Sequence, residues 1–509
     1  MNRRASWILA ATIMASSMVF IDSTAVNVAL PVLQRDLHAT IVDAQWFVEA
    51  YALFLSALIL VVGSLGDHFG RKRVFLIGVI GFALASALCG IAQNASQLIA
   101  ARAAQGVASA LLTPGSLSII GASFADAQRG KAIGMWSSFT AITAAAGPVL
   151  GGLIVEHASW RWIFFINVPL AVGTVIATIR CVQESRDDET VHHVDWAGAT
   201  LATLALGTIV YALIEAAGTG WLPVDFRLLA AGVLLLVVFI IVEGRVPSPM
   251  MPLRLFANRD FSAVNLMTLT QYAALNGAIF FLPFNLILVQ HYSPSASGAA
   301  LLPFIALIFA LSPWAGALAS SIGPKIPLVA GSTISAAGFA ALALPSIGGS
   351  YWTTFFPGGL LLGLGMAFVV TPLTTTVMAS VDPGHFGIAS GINNAVARTA
   401  GLIAVAAFSL VVVAAFNKNL DARLSRIDAP QAIKAAVQAQ RARLAAAEVP
   451  AAALPAERQA LEQAVAYAYV SGFRLAMLLA AALALLSALI AALFVSGQPA
   501  VSGRALRSP

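Results

Sequence analysis

The chain has 509 residues, 59% of them hydrophobic and only 10% charged, with a mean hydropathy of +0.88. That leaves too little polar surface to coat a water-soluble globule of this size, so the composition points to an all-α polytopic membrane protein lying in the lipid bilayer. The net charge of +6 does not signal nucleic acid, because the cations sit in short segments between apolar runs, and two cysteines and seven histidines without an HExxH offer no disulfide framework, metal site or cofactor.

Fourteen mainly apolar segments are long enough to cross a hydrocarbon core of about 30 Å. They fall near residues 7–28, 42–64, 74–92, 97–120, 130–154, 162–181, 196–216, 227–243, 262–289, 298–319, 325–346, 353–379, 386–416 and 470–495. The first is preceded by MNRR and is read as a retained span rather than a cleaved leader, since Asp22 falls where a cleavage region would lie. Arg3 and Arg4, the cluster Arg71, Lys72 and Arg73, then Arg129 and Lys131, Arg180 and Arg186, and Arg245, Arg254 and Arg259 occupy alternate connections. The positive-inside rule places those connections and both termini in the cytoplasm, with Arg504 and Arg507 in agreement. The 417–469 segment is then external, and its Ala-rich stretch from Gln431 to Glu448 reads as a solvated helix entered by Pro430.

Two connections echo each other: GSLGDHFGRK, Gly63 to Lys72, and GALASSIGPK, Gly316 to Lys325. ALLTP at Ala110 to Pro114 and FVVTP at Phe368 to Pro372 extend the echo, as do Gly130/Gly134 and Gly387/Gly391. The chain thus divides into a six-helix bundle at 1–183, two additional spans at 184–250, a second six-helix bundle at 251–497 that includes the external loop 417–469, and a cytoplasmic tail at 498–509. Repeats of this kind frame a transport site near the membrane midplane.

Charges within the spans are the candidates for chemistry. Asp22, in FIDSTAVNVALP, lies about fifteen residues into the first span, or ~22 Å. Glu49 and Arg102 lie ~8 to 10 Å below the opposite starts of spans two and four, so the three share a depth. A charge there costs roughly 2.5–3.5 kcal/mol on insertion scales, which asks for a partner or a job. Two readings stay open: a proton switch built from two carboxylates and a guanidinium, or a static Asp22–Arg102 bridge with Glu49 facing an external vestibule. In the connection after span two, Asp67 and the Arg71, Lys72, Arg73 cluster can form a contact that Gly63 and Gly70 allow to close. Gly147, Pro148, Gly151 and Gly152 put a bend or a close helix approach in span five. Asn27 together with Gln271, Tyr272 and Asn276 of span nine and Arg398 of span thirteen are the polar groups expected to line a substrate cavity, with Arg398 open equally to pinning span thirteen to a carbonyl.

FIDSTAVNVALP, GSLGDHFGRKR, LIAARAAQGVASA, GPVLGG, SWRWIFFINVP, VDWAG and NNAVARTAG, taken in order, resemble the motifs of the major facilitator superfamily and, with fourteen spans, its drug/proton antiporter family. The resemblance implies the major-facilitator fold, with two pseudo-symmetric six-helix bundles and two inserted central helices. It also implies proton-coupled export of small amphipathic or cationic compounds across a bacterial inner membrane, a gate at Gly63 to Arg73 and an antiporter kink at Gly147 to Gly152. Two departures stand out: His68 where the signature loop often has a basic residue, and Glu49 where a neutral one is usual. The chain has no GxxxxGK[ST] phosphate loop, so the expected energy source is the proton gradient, with protons and a small-molecule substrate as partners. Export of one metabolite or endogenous antibiotic is the alternative within transport, and a non-transporting membrane receptor the alternative outside it. No enzyme activity is expected, and the sequence names no periplasmic adaptor.

Overall fold

The computed structural model describes residues 3–124, 126–186, 195–247, 249–382 and 385–497, without the side chains of 60–64, 66–68, 126 and 127. The expected tail at 498–509, with Arg504 and Arg507, lies outside the described residues, as do the side chains of Asp67 and His68. Fourteen helices are long and apolar enough to span a membrane, and no strand occurs among the described residues. They are α1 (Arg3–Asp36), α2 (Ile41–Ile59 of a helix that continues to Phe69), α3 (Arg71–Ile91), α4 (Ala95–Ser123), α5 (Gln128–His157), α6 (Arg161–Cys181), α7 (Trp196–Thr219), α8 (Pro223–Glu243), α9 (Arg259–Val289), α10 (Pro294–Ile322), α11 (Lys325–Leu342), α12 (Phe356–Ala379), α13 (Phe386–Leu424) and α14 (Pro455–Phe494). Helices are forced here because hydrocarbon offers the backbone no other hydrogen-bond partner.

Local chemistry sets the breaks. Asn94 caps α4 by accepting the Gln97 amide at 2.9 Å, and Asp195 caps α7 by accepting that of Gly198 at 2.7 Å. Gly70, at φ 101°, turns the chain from the α2 helix into α3, a conformation that costs any residue with a Cβ.

Contacts divide the chain into two units. One comprises the chain to Met250 with Ile279–Ala299 and Ser409–Gly472; the other comprises Met251–Ala278, Ala300–Phe408 and the chain from Phe473. The core of the first gathers Met18, Phe75, Phe82, Leu112, Ile119 and Ile120; that of the second gathers Phe261, Met267, Leu328, Val369, Leu373 and Ala491. Small residues bring backbones together in both. A Cβ on Gly78 of α3 would meet the Leu112 nitrogen of α4 at 2.8 Å, and one on Gly331 of α11 would meet the Gly365 carbonyl of α12 at 2.7 Å. Gly331 follows Gly78 by the same interval as Gly316 follows Gly63, so the repeat extends into equivalent helix contacts.

The last helices depart from the expected boundaries. α13 continues past residue 416 to Leu424 and α14 starts at Pro455 rather than near 470, so the connection shrinks to 425–454. The stretch from Gln431 to Glu448 is not one solvated helix: an α-helix covers Gln431–Ala439 and a 3-10 turn covers Arg441–Ala446. Val437 and Leu444 are buried, and Gln34 of α1 donates to the Arg443 carbonyl at 3.1 Å. The alanine content disguised an apolar edge that packs against α1 and α2.

Candidate functional site

α1 carries FIDSTAVNVALP as unbroken helix through Pro31, which sets Asp22 on the face toward α4. Asp22 is 0% and Arg102 1% exposed. Their side chains form an ion pair, Oδ2 to Nη1, at 2.5 Å. Gln105, three residues after Arg102 and hence on the same helix face, ties the pair together: its amide donates to Asp22 Oδ1 at 2.9 Å while its oxygen accepts from Arg102 Nη1 at 2.7 Å. Arg102 Nε donates to the Phe47 carbonyl of α2 at 2.7 Å, and its guanidinium lies 4.3 Å from the centre of the Tyr51 ring. Ser86 of α3 and Asn167 of α6 continue the network, with Gln105 donating to Ser86 Oγ at 3.3 Å and Asn167 donating to it at 3.0 Å.

Five helices therefore converge on one buried ion pair. Removing either charge leaves the other unpaired in a medium that penalises it by several kcal/mol, so the pair and the packing around it are tied to one another. Gln105, Ser86 and Asn167 went unread in the sequence. The available signal for Gln105 was its spacing of three from Arg102.

Glu49 does not join this cluster. It is 1% exposed, and its Oε2 has no hydrogen-bond partner among the described residues. Phe47 and Tyr51 mark the side of α2 that meets Arg102, and a residue two positions away on a helix points roughly 200° from each. Equal depth did not mean a shared face.

The described part of the connection after α2 docks on the end of α6. Lys72 donates its backbone N–H to Glu184 Oε1 at 3.0 Å and its Nζ to the carbonyls of Ile179 and Val182 at 3.1 and 2.8 Å. Arg73 Nε is 3.8 Å from Glu184 Oε2, and the Arg71 N–H donates to the Ser185 carbonyl at 3.1 Å. A cation at a helix C-terminus meets carbonyls that have no partner in the helix. Glu184 is the acidic partner the motif alone did not indicate.

In α5 the helix runs through Pro148 without a break. A Cβ on Gly147 would collide with Thr24 Oγ1 of α1, and one on Gly151 would meet the Ala25 Cα at 2.8 Å. Gly152 faces the Pro294 carbonyl at the start of α10, where Gly298 in turn faces the Pro148 carbonyl. These glycines bring α5 against the helix turn that follows Asp22.

Of the expected cavity residues, Asn27 is half-buried and donates to the Ser23 carbonyl of its own helix. In α9, Gln271 is buried with its amide on Met366 Sδ at 3.2 Å, and Asn276, half-buried, donates to the Tyr272 carbonyl at 2.8 Å. Arg398 is half-buried in α13. Asn393, earlier on α13, donates to Thr268 Oγ1 at 2.7 Å and Asn265 Oδ1 at 3.2 Å of α9, a polar cross-link not singled out by the motif around it.

Comparison with known proteins agrees with this architecture. The chain is 33% identical over 498 residues to the tetracenomycin C resistance and export protein of Streptomyces glaucescens, covering 95% of this chain and 90% of that one. It is 36% identical over 412 residues to the puromycin resistance protein pur8 of Streptomyces alboniger, covering 80% and 81%. It is 34% identical over 428 residues to the multidrug resistance protein Stp of Mycobacterium tuberculosis strain H37Rv, covering 84% and 79%. Among solved structures, a bacterial homolog of the human lysosomal transporter Spinster superposes with a TM-score of 0.64 at 16% identity, over 96% of this chain and 98% of that one. The POT family transporter PepTSo gives 0.64 at 13% identity, over 97% and 98%, so the fold is shared well beyond recognisable sequence. A family model described as Major Facilitator Superfamily matches residues 12–405, and this multi-pass membrane protein belongs to that superfamily.

Proposed function

We propose that the chain is a proton-driven exporter of small amphipathic or cationic organic compounds, working by alternating access in a bacterial inner membrane with both termini cytoplasmic. The observation that carries the proton-coupling part is the Asp22–Arg102 ion pair, sealed from solvent and bound to both sides of Gln105. Export is supported by relatives named for drug resistance and export. Adding a proton to Asp22 removes the charge that Arg102 pairs with. The guanidinium then keeps the Phe47 carbonyl, the Gln105 oxygen and the Tyr51 and Phe164 rings but no counter-charge, so conformations that supply it another partner gain in population. Each proton moved inward through 100 mV releases about 2.3 kcal/mol to drive that cycle.

Two six-helix bundles, residues 1–183 and 251–497, with α7 and α8 between them, form the organisation we propose for the motion. The Lys72–Glu184 contact and the α5 glycines are assigned to the gate and to the tight α1–α5 seam. Tyr272, Asn276 and Arg398, and separately Asn27, are assigned to cargo. A second reading, export of a single antibiotic, is favoured by the relatives named for tetracenomycin C and for puromycin alone. The test is a drug-susceptibility panel in an efflux-deficient host, followed by uptake into everted vesicles with and without a pH gradient. Gradient-dependent uptake of several unrelated compounds, abolished in Asp22→Asn, supports the first reading. One protected compound supports the second, and gradient-independent export by Asp22→Asn at the parent rate rejects proton coupling at this residue.

A further inference from the structure

α2 and α7 pack against each other along a stripe that can be traced residue by residue. Val42 Cγ2 lies 2.8 Å from where a Cβ on Gly218 would sit, Leu53 Cδ2 lies 3.4 Å from the same point on Gly207, and the Trp46 and Tyr211 rings lie 6.1 Å apart. Val42, Trp46 and Leu53 follow at intervals of four and seven, and Glu49 stands between Trp46 and Leu53 at three and four, on the same helix face. That spacing sets Glu49, buried and without a hydrogen-bond partner at Oε2, on the α2 face that meets α7. Glu215, four residues after Tyr211, flanks the same seam and is half-buried. Neither α2, over Ile41–Ile59, nor α7 contains a lysine, arginine or histidine. Asp43, the remaining acid at that end of α2, is occupied, with its Oδ2 accepting from the N–H and hydroxyl of Thr40 at 2.8 and 2.7 Å.

An aromatic pair beside a buried, unsatisfied carboxylate is an arrangement that attracts a positive charge carried on an apolar body. The ring faces draw the cation by their quadrupoles, the carboxylate by its charge, and both act strongly where water is excluded. Tyr211 is 46% exposed on a helix long and apolar enough to span a membrane, so the outer edge of the aromatic pair is open to the surroundings of the bundle.

We infer that the α2–α7 seam is a recognition site for lipophilic organic monocations arriving from the bilayer, with Glu49 as counter-ion, Trp46 and Tyr211 as the aromatic walls and Glu215 as a second attracting charge. The choice of cargo class rests on the export reading above; the site itself is separate from the Asp22–Arg102 pair. It also gives the two additional helices a task, because α7 supplies half of the seam.

The test is equilibrium binding to the full chain in nanodiscs without any gradient, using tetraphenylphosphonium and its neutral counterpart triphenylphosphine oxide. Glu49→Gln, which keeps shape and removes charge, is expected to weaken phosphonium binding about tenfold and leave the oxide within about twofold. Tyr211→Leu, at the lipid-facing rim, is expected to weaken the phosphonium about threefold. Unchanged phosphonium binding in Glu49→Gln, or an equal loss of both ligands, would overturn the seam site. Proton coupling is judged separately, by exchange in Asp22→Asn, so failure of either conclusion is distinguishable from failure of the other.

Discussion

The buried ion pair permits a quantitative prediction. In Asp22→Asn one terminal atom becomes an N–H donor, facing either the Arg102 guanidinium at 2.5 Å or the Gln105 amide at 2.9 Å. Rotating the Gln105 amide to compensate would take its oxygen from Arg102 Nη1, which it now accepts from at 2.7 Å. At least one charge-assisted hydrogen bond is lost whichever way the amides turn, about 1.5–3 kcal/mol. The guanidinium, 1% exposed, also loses its only counter-charge among the described residues, and breaking a buried pair from one side costs about 3–5 kcal/mol. The Tyr51 ring offsets about 1 kcal/mol of this. The single variant should lower the thermal unfolding midpoint of the purified chain by roughly 5 °C or more. Arg102→Gln should do likewise, and the double variant should lie above both singles, with a coupling energy of about 2 kcal/mol or more. Additive losses in the double variant would refute the view that the two charges stabilise one another.

Gln105→Leu strips one acceptor partner from Arg102 and one donor from Asp22, so a loss of about 1–3 kcal/mol is expected together with slowed exchange; parent-like stability would show that Gln105 does not bind both charges. Gly151→Leu drives a side chain into the Ala25 backbone of α1, and the yield of monodisperse protein by size exclusion should fall sharply, whereas normal yield and transport would contradict the tight α1–α5 seam. Lys72→Met removes the donor to the Ile179 and Val182 carbonyls, which should cost about 0.5–1 kcal/mol. If Lys72 also serves the gate, transport falls more than that small loss of stability explains; parallel losses would confine it to capping α6. Leu444→Asp places a charge where Leu444 is 1% exposed, and protease cleavage within 425–454 should accelerate severalfold; unchanged cleavage would mean the segment is held by other contacts.

The sequence by itself determined the class and much of the architecture. Composition forces helices in a bilayer, the apolar runs mark fourteen spans, and the Gly63/Gly316 echo announces a repeat whose Gly78 and Gly331 contacts match. It also named both charges of the ion pair, since an isolated Asp22 and Arg102 in apolar helices demand partners. Rotation was harder to read than depth. Counting at 1.5 Å per residue gave Glu49 and Arg102 one level, but a 100° step per residue set Glu49 toward α7 and left the Phe47 carbonyl and Tyr51 ring to meet Arg102. Partners distant in sequence were equally invisible. Gln105 needed α1 beside α4, Glu184 needed the end of α6 beside the start of α3, and Leu444 needed its connection folded back on α1 and α2, because a side chain's partner is chosen by which helix faces pack together.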